Sequence, residues 1–416
     1  MDINEIVKLA NKAKIKLMSL SEGKKNEALK AVGENIKKNE AKIYEANKKD
    51  LEYAKTLVEQ GKLTKATFGR LKLDENKMRD MIAGIYDVIK LDDPANKVLF
   101  TRQLDEDLIL KKVSVPIGVL GIIFEARPDV IAQISSLAIK SGNVVILKGG
   151  SEANNTNAAI FEIIDEALNN VEGFPKNAVN LVYSHDDIKK MLDMDGYIDL
   201  IIPRGSNKLV KFIQENTKIP VLGHASGICH IFIDESADIN MAKKICIDAK
   251  IQYPTACNAV ETILVHKNFK HYEELKQSLI NSGIEVIENP EKYGVEYSDT
   301  ILNIKFVNNL DEAIEHINTF SSHHTDSIIT NDDNNAEIFM NNVDSAGVFK
   351  NASTRFSDGF RYGFGAEVGI STNKTHARGP VGLDGLCIYK YKLIGCGQIV
   401  DDYAKGIKTF NHKDLK

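Results

Sequence analysis

The sequence predicts an α/β fold with a parallel, doubly wound sheet. Short apolar segments such as Val119–Phe124 and Val144–Leu147 alternate with amphipathic stretches such as residues 129–141. Buried parallel strands are apolar along their whole length and are joined by helices, so this alternation favours a parallel sheet over an antiparallel one. At 416 residues the chain is long for one hydrophobic core, which predicts two or three domains.

Composition excludes several classes of protein. The net charge is −5, and no dense Lys/Arg block offers a surface for nucleic acid. The longest apolar runs are too short to span a bilayer, and the N-terminus lacks the apolar core of a signal peptide. Five cysteines without a CxxC spacing argue against a disulfide framework and against a zinc ribbon. We therefore expect a cytoplasmic protein that binds neither nucleic acid nor membrane.

Residues 3 to about 91 are predicted to be helical, because apolar residues recur there at helical spacing, as in Ile6, Ala10 and Ala13. A β-ribbon is predicted next, at residues 98–115. An isolated two-stranded ribbon is marginally stable, so we expect it to pack on something else. A second subunit is one candidate, and the tail segment Leu386–Val400 is expected to join the ribbon there.

The first series of strands and helices carries a candidate nucleotide site. Lys148 ends a strand and is followed by two glycines and Ser151. Ligands bind at the carboxyl ends of strands in open α/β sheets, which favours a nucleotide ribose or its 2′-phosphate here over a solvated lysine before a turn. After the predicted strand Leu200–Ile202, Gly205 and Ser206 open a helix whose free N–H groups suit a phosphate. A simple helix cap is the alternative.

A second series begins near Val221 and leads to Cys257. Its predicted strands are 230–233, 262–265, 301–306, 328–330 and 347–349, and its predicted helices are 239–249 and 272–281. Cys257 lies on a turn before one of these strands, where backbone N–H dipoles can favour the thiolate and hold an oxyanion. A lone cysteine is more often buried and inert. The nucleotide-binding half before it and the polar segment after it favour the catalytic role.

The segment Gly347–Gly385 is the richest in polar groups. Three arginines stand there among glycines and aromatics, together with amides and hydroxyls. A flexible surface loop is one interpretation. Guanidinium groups bind carboxylates and phosphates through paired hydrogen bonds, so the composition also suits a small anionic substrate. The candidate substrate-binding residues are Asn351, Arg355, Arg361 and Arg378.

Five pieces of the sequence together resemble one family. The pieces are GVLGIIFEARPDV, LKGGSEA, CNAVETILVH, HTDSIIT and GAEVGISTNKTHARGPVGL. They closely resemble the γ-glutamyl phosphate reductases of the aldehyde dehydrogenase superfamily, and the resemblance runs over nearly the whole chain. It implies an aldehyde dehydrogenase-like fold, with a Rossmann-type cofactor domain (1–222), an α/β catalytic domain (223–385) and a small β oligomerisation arm (98–115). The C-terminal segment 386–416 is expected to contribute to oligomerisation.

The resemblance also implies an activity and a site. The expected reaction is the NADPH-dependent reduction of L-glutamyl 5-phosphate to L-glutamate 5-semialdehyde and phosphate through a cysteine thioester, the second step of proline biosynthesis. By position, Cys257 looks like the nucleophile. Lys148, Ser151, Gly205, Ser206 and Glu296 look like cofactor-binding residues. A homodimer or higher homo-oligomer is expected, with possible transient contact to glutamate 5-kinase.

Two segments depart from the wider superfamily. Hydrolytic members carry a glutamate base where this chain reads Gly223–Gly227, without a carboxylate. That absence suits an acyl phosphate, because the thioester must wait for hydride rather than meet activated water. An oxyanion-binding asparagine of the superfamily is replaced here by the segment Glu125–Arg127, so the backbone N–H of Cys257 is the better candidate donor. His224 is considered as the proton donor, although a structural role is favoured for it.

Three alternatives remain open at this stage. A related dehydrogenase could act on an acyl-CoA or on another aldehyde. A non-catalytic oligomeric binding protein could keep the fold, although Cys257 and Lys148 speak against it. A metal-dependent hydrolase is the third, but no set of three or four converging ligands can be identified from the sequence, so no metal site is predicted.

Overall fold

The computed structural model describes residues 2–224 and 226–415. It divides the chain into two compact units. The first contains residues 1–205, 212–221 and 382–416, and the second contains residues 206–211 and 222–381. Each unit has its own parallel sheet. The assignment of the halves as cofactor-binding and catalytic domains stays a prediction.

Helices and strands alternate over most of the described residues. The helices are α1 (Ile3–Met18), α2 (Glu22–Lys38), α3 (Glu40–Glu59), α4 (Lys65–Leu71), α5 (Glu75–Lys90), α6 (Val130–Ser141), α7 (Asn154–Asn169), α8 (His185–Leu192), α9 (Asn207–Glu215), α10 (Ile239–Ile251), α11 (Tyr272–Asn281), α12 (Leu310–Phe320), α13 (Asp333–Asn342) and α14 (Val400–Ala404). The strands are β1 (Val98–Asp105), β2 (Leu108–Pro116), β3 (Val119–Phe124), β4 (Val144–Lys148), β5 (Val179–Val182), β6 (Leu200–Arg204), β7 (Cys229–Ile233), β8 (Val260–His266), β9 (Glu285–Glu288), β10 (Ile301–Val307), β11 (Thr325–Ile329), β12 (Gly347–Lys350), β13 (Gly369–Ser371), β14 (Gly379–Val381), β15 (Cys387–Ile394) and β16 (Lys413–Leu415).

The first unit is built on a four-stranded parallel sheet of order β5-β4-β3-β6. Every residue of β3 and β4 is buried, as their continuous apolar sequence predicts. The five N-terminal helices confirm the predicted helical region. The face of α1 that carries Ile6, Ala10 and Ala13 is buried. The first amides of α7 are bound by a carboxylate from α3, because Asp50 accepts from the amide of Thr156 at 2.7 Å.

The predicted ribbon is present, but its partners come from its own chain. β1 and β2 form the antiparallel hairpin, and β15 pairs with β2 over eight residues. β16 closes the other side, so the sheet has the order β15-β2-β1-β16. The tail therefore joins the ribbon as expected. Both edges of the hairpin are thus paired by strands from the C-terminal end of the chain, and packing of the ribbon against a second subunit stays a prediction.

The second unit is built on a six-stranded parallel sheet of order β12-β11-β7-β8-β10-β9. The main part of this unit begins at Leu222, one residue after the predicted start near Val221, and Val221 itself bridges to Ile201 of the first sheet. β11 begins three residues before the predicted strand. Its polar start is buried because the Asp326 carboxylate accepts from the backbone amide of His230 at 2.6 Å. No helix among the described residues is both long and apolar enough to cross a membrane.

Candidate functional site

The candidate nucleophile Cys257 lies at the amino edge of the second sheet, on the turn that leads into β8. Two consecutive hydrogen-bonded turns form this segment: the amide of Ala256 donates to the Tyr253 carbonyl at 3.1 Å, and the amide of Ala259 donates to the Ala256 carbonyl at 2.9 Å. Gly227 packs directly on the turn. A Cβ atom at residue 227 would lie 2.3 Å from the Cys257 Cα atom, so only glycine fits there.

Side-chain hydrogen bonds hold this turn from two directions. The Asn258 amide donates to the carbonyl of Ser357 at 2.8 Å, and the hydroxyl of Thr354 donates to the carbonyl of Asn258 at 2.7 Å. On the other side, the Cys229 thiol donates to the Cys257 carbonyl at 3.4 Å. The position of the Cys257 sulfur is therefore fixed by its backbone and by its neighbours.

The Cys257 thiol is neutral in this environment. Burial raises its pKa to about 12, and the carboxylates of Glu367 and Glu296 act in the same direction. The Arg355 guanidinium opposes them and is outweighed. A backbone hydrogen bond favours the thiolate, as predicted from the sequence, but desolvation of the sulfur outweighs it. Such a thiol needs a neighbouring base before it can attack.

His324 is the imidazole in contact with that thiol. Its Nε2 atom lies 3.3 Å from the Cys257 Sγ atom, and its Nδ1 atom lies 2.9 Å from the hydroxyl oxygen of Thr325. The ring is fully buried and packs edge-to-face on His224, with centroids 5.1 Å apart. Burial, helped by His224 and Arg355, holds the pKa of His324 well below its usual range, so the imidazole is neutral.

Sequence analysis missed His324. The adjacent His323 contacts a different group, since its Nδ1 atom lies 2.6 Å from the carbonyl oxygen of Asp344. His324 immediately precedes β11 and Cys257 lies shortly before β8, and both strands belong to the same parallel sheet. Both residues therefore stand at its amino edge. That relation follows from the strand order and is invisible in the linear sequence.

Three potential metal ligands also converge here. His224, Cys257 and His324 each offer one ligand atom, and the three atoms lie within 4.8 Å of one another. This set could not be identified from the sequence, because folding brings it together from three distant segments, and the expectation that the chain holds no metal stays a prediction. Imidazole nitrogen and thiolate sulfur are ligands that zinc accepts. A thiol beside an imidazole is equally the arrangement of a nucleophile with its base.

Of the predicted substrate-binding arginines, Arg355 is the one whose charge acts on the thiol. It is 7% exposed, and its Nε atom donates to the Gln252 side chain at 2.9 Å. Arg361 donates to the backbone carbonyl of Arg355 at 2.7 Å, which places a second cation beside the first. Two adjacent guanidinium groups can bind a carboxylate or a phosphate.

Arg378 and Asn351 are engaged with other protein groups. Arg378 donates to the carbonyl and to the carboxylate of Asp344, each at 3.1 Å. The Asn351 amide donates to the Thr330 carbonyl and accepts from the Thr330 amide, both at 2.9 Å. Both contacts organise loops, and the expected roles of Arg378 and Asn351 in substrate binding stay predictions.

Glu367 is a further residue that sequence analysis did not select. Its Oε2 atom accepts from the backbone amide of Gly359 at 2.8 Å. After burial, the Glu367 carboxylate is the group that raises the pKa of the Cys257 thiol most. It is the sole carboxylate between Asp358 and Asp384 in the sequence. That isolation is the signal that could have identified it. A carboxylate beside a nucleophile can bind an ammonium group of a substrate.

In the first unit, Lys148 ends β4 and is 2% exposed. Its ammonium group donates to the Gly149 carbonyl at 2.6 Å, and burial lowers its pKa. Gly149 lets the Asn157 side chain approach the backbone closely, because a Cβ atom at residue 149 would lie 2.2 Å from the amide nitrogen of Asn157. That buried amide has no hydrogen-bond partner among the described residues. Ser151 is exposed at the start of a short 3₁₀ turn.

In the second unit, Ser206 and Glu296 lie close to each other. The Ser206 hydroxyl accepts from the amide of Leu209 at 3.4 Å, which caps the start of α9. The next residue, Asn207, donates to the Glu296 carboxylate at 2.8 Å. Gly205 directly precedes Ser206 in the chain. The predicted phosphate and ribose contacts of these residues stay predictions.

Glu125–Arg127 and Gly223–Gly227 are the two segments that depart from the wider superfamily. Ala126, within Glu125–Arg127, has a left-handed backbone with φ of 50°, and its amide donates to the Glu152 carboxylate at 2.8 Å. That amide is therefore already bound. Within Gly223–Gly227, Ala225 lies outside the described residues.

Known proteins resemble this chain over its whole length. The sequence matches the aldehyde dehydrogenase family over residues 1–292. A γ-glutamyl phosphate reductase of Brachyspira hyodysenteriae is 58% identical over 100% of this chain and 100% of its own length. One of Methanosarcina acetivorans is 51% identical over 100% of this chain and 98% of its own. The crystal structure of γ-glutamyl phosphate reductase from Thermotoga maritima is 38% identical and superposes with a TM-score of 0.92, covering 96% of this chain and 100% of that chain.

Proposed function

The chain belongs to the aldehyde dehydrogenase family, in its γ-glutamyl phosphate reductase branch, and we infer from this that it reduces L-glutamyl 5-phosphate to L-glutamate 5-semialdehyde and phosphate. The reaction is the second step of proline biosynthesis. The observation that carries the inference is full-length similarity to reductases of that name, combined with a buried thiol in contact with an imidazole. A nicotinamide cofactor supplies the hydride.

We propose Cys257 as the nucleophile. Its sulfur attacks the γ-carbonyl carbon, phosphate leaves and a thioester remains on the enzyme. After reduction the thiohemiacetal collapses, which releases the aldehyde and restores the cysteine. The backbone N–H of Cys257 is the proposed donor to the developing oxyanion. The described part of Gly223–Gly227 offers no carboxylate to activate water, which protects the thioester from hydrolysis.

We propose NADPH as the cofactor and Lys148, Ser151, Gly205, Ser206 and Glu296 as the residues that hold it. The fit rests on two features of the first unit. The buried ammonium of Lys148 has one hydrogen bond, to Gly149, and so keeps donors for a ligand. The buried amide of Asn157 beside it has no partner among the described residues. An ammonium group that is held out of water suits a 2′-phosphate better than a hydroxyl alone.

Arg355 and Arg361 are the proposed anchors for the anionic ends of the substrate, with Asn351 and Arg378 as further candidates. Arg355 and Arg361 are adjacent, and the charge of Arg355 acts to lower the pKa of the Cys257 thiol. A doubly anionic acyl phosphate needs cations close to the reacting carbon, because phosphate carries additional negative charge as it leaves.

The edge strand β15 supports the proposal of a homodimer or larger homo-oligomer. Its side chains Tyr391, Leu393 and Ile394 are each more than half exposed. An exposed apolar edge strand is prone to pair with another chain. We also propose a cytoplasmic location and transient contact with the glutamate 5-kinase that makes the labile acyl phosphate.

The reverse reaction provides the test of function. Purified protein is incubated with glutamate 5-semialdehyde, phosphate and NADP, and NADPH absorbance is followed. We expect NADPH to form only when all three are present. Formation with coenzyme A in place of phosphate would instead identify an acyl-CoA reductase and contradict the proposal.

A further inference from the structure

We propose that His324 is the acid–base residue of this reaction, which takes the proton from the Cys257 thiol during attack and returns a proton to the sulfur at the end of each turnover. The role rests on the proposed reductase function. It is carried by the contact between His324 and the thiol, and no residue of the wider aldehyde dehydrogenase resemblance supplies it.

The geometry assigns the two ring nitrogens different tasks. Nδ1 of His324 lies 2.9 Å from the Thr325 hydroxyl oxygen, and Nε2 lies 3.3 Å from the Cys257 sulfur. With the proton on Nδ1 and donated to Thr325, Nε2 presents its lone pair to the S–H group. The backbone is fixed as well, because the amide of Gly347 donates to the His324 carbonyl at 3.0 Å.

The reaction needs a base at this point. With the pKa of Cys257 raised to about 12, thiolate is a fraction of about 10⁻⁵ at pH 7. Four groups act on the pair: the carboxylates of Glu367 and Glu296 disfavour a thiolate, and His224 and Arg355 disfavour an imidazolium. The resting pair is therefore a neutral thiol and a neutral imidazole. Proton transfer has to accompany the attack itself.

The proposed steps balance. As sulfur bonds to the γ-carbonyl carbon, its proton passes to Nε2 of His324. The bond from that carbon to the phosphate oxygen then breaks, and the imidazolium gives its proton to the departing oxygen, so hydrogen phosphate leaves. After reduction the C–S bond breaks with its electron pair on sulfur. His324 takes one proton from water and passes it to the thiolate, and one proton is consumed in each turnover.

His224 does not satisfy the same conditions. Its Nδ1 atom lies 3.1 Å from the carbonyl oxygen of Ile370, and it meets His324 edge-to-face. A carbonyl oxygen only accepts, so Nδ1 of His224 donates to it. The Nδ1 side of the ring is thereby turned toward β13. The matched control is instead His323, the adjacent histidine, whose ring contacts the Asp344 carbonyl.

The test compares His324→Asn and His324→Gln with His323→Asn. Two rates are measured at pH 7: alkylation of Cys257 by iodoacetamide, read by mass spectrometry of its peptide, and phosphate release from glutamyl phosphate in a single turnover. Both His324 variants should lose about 10²- to 10⁴-fold in each rate. Their melting temperature and NADPH dissociation constant should stay at wild-type values. His323→Asn should stay within about fivefold of wild type, because the His323 ring contacts the Asp344 carbonyl and not the thiol.

The pH dependence separates proton transfer from structural damage. Alkylation of the His324 variants should approach the wild-type rate as the pH rises toward 12, because hydroxide then takes the thiol proton. The exposed Cys396 is the internal reference, because its alkylation rate should be the same in all variants. A variant that stays slow at high pH would show that the sulfur has moved and would overturn the proposal.

Two further outcomes would also overturn it. The first is a His324 variant within about threefold of wild type, or a His323 variant that loses as much. The second is wild-type activity that disappears on dialysis against EDTA and returns with zinc, which would make the cluster a metal site. Alkylation needs no substrate, so it distinguishes the two proposals: His324-dependent alkylation without phosphate release would refute the reductase function alone.

Discussion

The two parallel sheets place their candidate chemistry at opposite ends of their strands. In the first unit Lys148 is the last residue of β4, at the carboxyl edge. In the second unit Cys257 and His324 stand before β8 and β11, at the amino edge. The rule that ligands bind at carboxyl edges therefore finds the first group and misses the second. A nucleophile held by turns and neighbouring segments is not bound by that rule.

Burial acts on both groups, but the surrounding charges differ. Desolvation lowers the pKa of Lys148, and the carboxylates of Glu152 and Asp187 oppose that shift. Desolvation raises the pKa of Cys257, and the carboxylate of Glu367 reinforces that shift. The nearby carboxylates thus favour the ammonium form of Lys148 at the carboxyl edge, whereas at the amino edge they favour the neutral thiol of Cys257.

The largest effect is expected at the amino edge. Cys257→Ser should lower reductase activity by several orders of magnitude, because a serine hydroxyl is a far weaker nucleophile at neutral pH. NADPH binding, measured by fluorescence titration, should not change. Cys396→Ala, at an exposed position, is the matched control and should keep most of the activity. Near-normal turnover by Cys257→Ser would show that the nucleophile does not lie at the amino edge.

Omission of phosphate is expected to have the next largest effect. Oxidation of the semialdehyde should be at least about 100-fold slower without phosphate or arsenate, because Gly223–Gly227, where hydrolytic relatives carry a glutamate base, contains no carboxylate. The measurement is NADPH formation together with chromatography of free glutamate. Rapid release of glutamate without phosphate would show that a group near His224 activates water.

A smaller effect is expected at the carboxyl edge. Lys148→Ala should raise the Michaelis constant for NADPH by roughly 10- to 100-fold, which corresponds to the loss of a charge-assisted hydrogen bond of about 1.5–3 kcal/mol. The constant for NADH should rise less. An equal rise for both cofactors would show that Lys148 contacts a ribose hydroxyl or only supports the structure of the strand end.

The smallest effect is expected away from both edges, in the sheet formed by β1, β2, β15 and β16. Leu393→Lys puts a charge on the exposed side of β15 and should raise the dissociation constant of the oligomer by about tenfold, measured by sedimentation. Lys392→Ala, the adjacent exposed position, should leave it unchanged. A wild type that sediments as a monomer at micromolar concentration would contradict the proposed assembly.

The comparison of the two edges also shows which site residues can be predicted from the sequence. Lys148 was identified from its place after an apolar strand, and Cys257 from its turn and its motif. Both signals are local in sequence. His324 was missed because its partner lies 67 residues away and meets it only through the order of strands in the sheet. The pairing of β15 with β2 is long-range in the same way.

The electrostatic environment of the site could not be predicted from the sequence either. The residue type of Cys257 was predicted correctly, yet its protonation state was not, because desolvation depends on burial that the sequence does not state. Arg378 has the chemistry for an anion site, but the Asp344 carboxylate already occupies its guanidinium. Chemical type can thus be predicted from sequence more readily than the partner that a side chain finds in the fold.

The neutral Cys257 thiol has a consequence for the lifetime of the enzyme. Hydrogen peroxide oxidises thiolates, and susceptibility follows thiolate character. Because burial keeps the resting sulfur protonated, little thiolate is present between turnovers. An idle molecule is therefore protected from oxidation through its thiolate by the same desolvation that makes the thiol depend on a base.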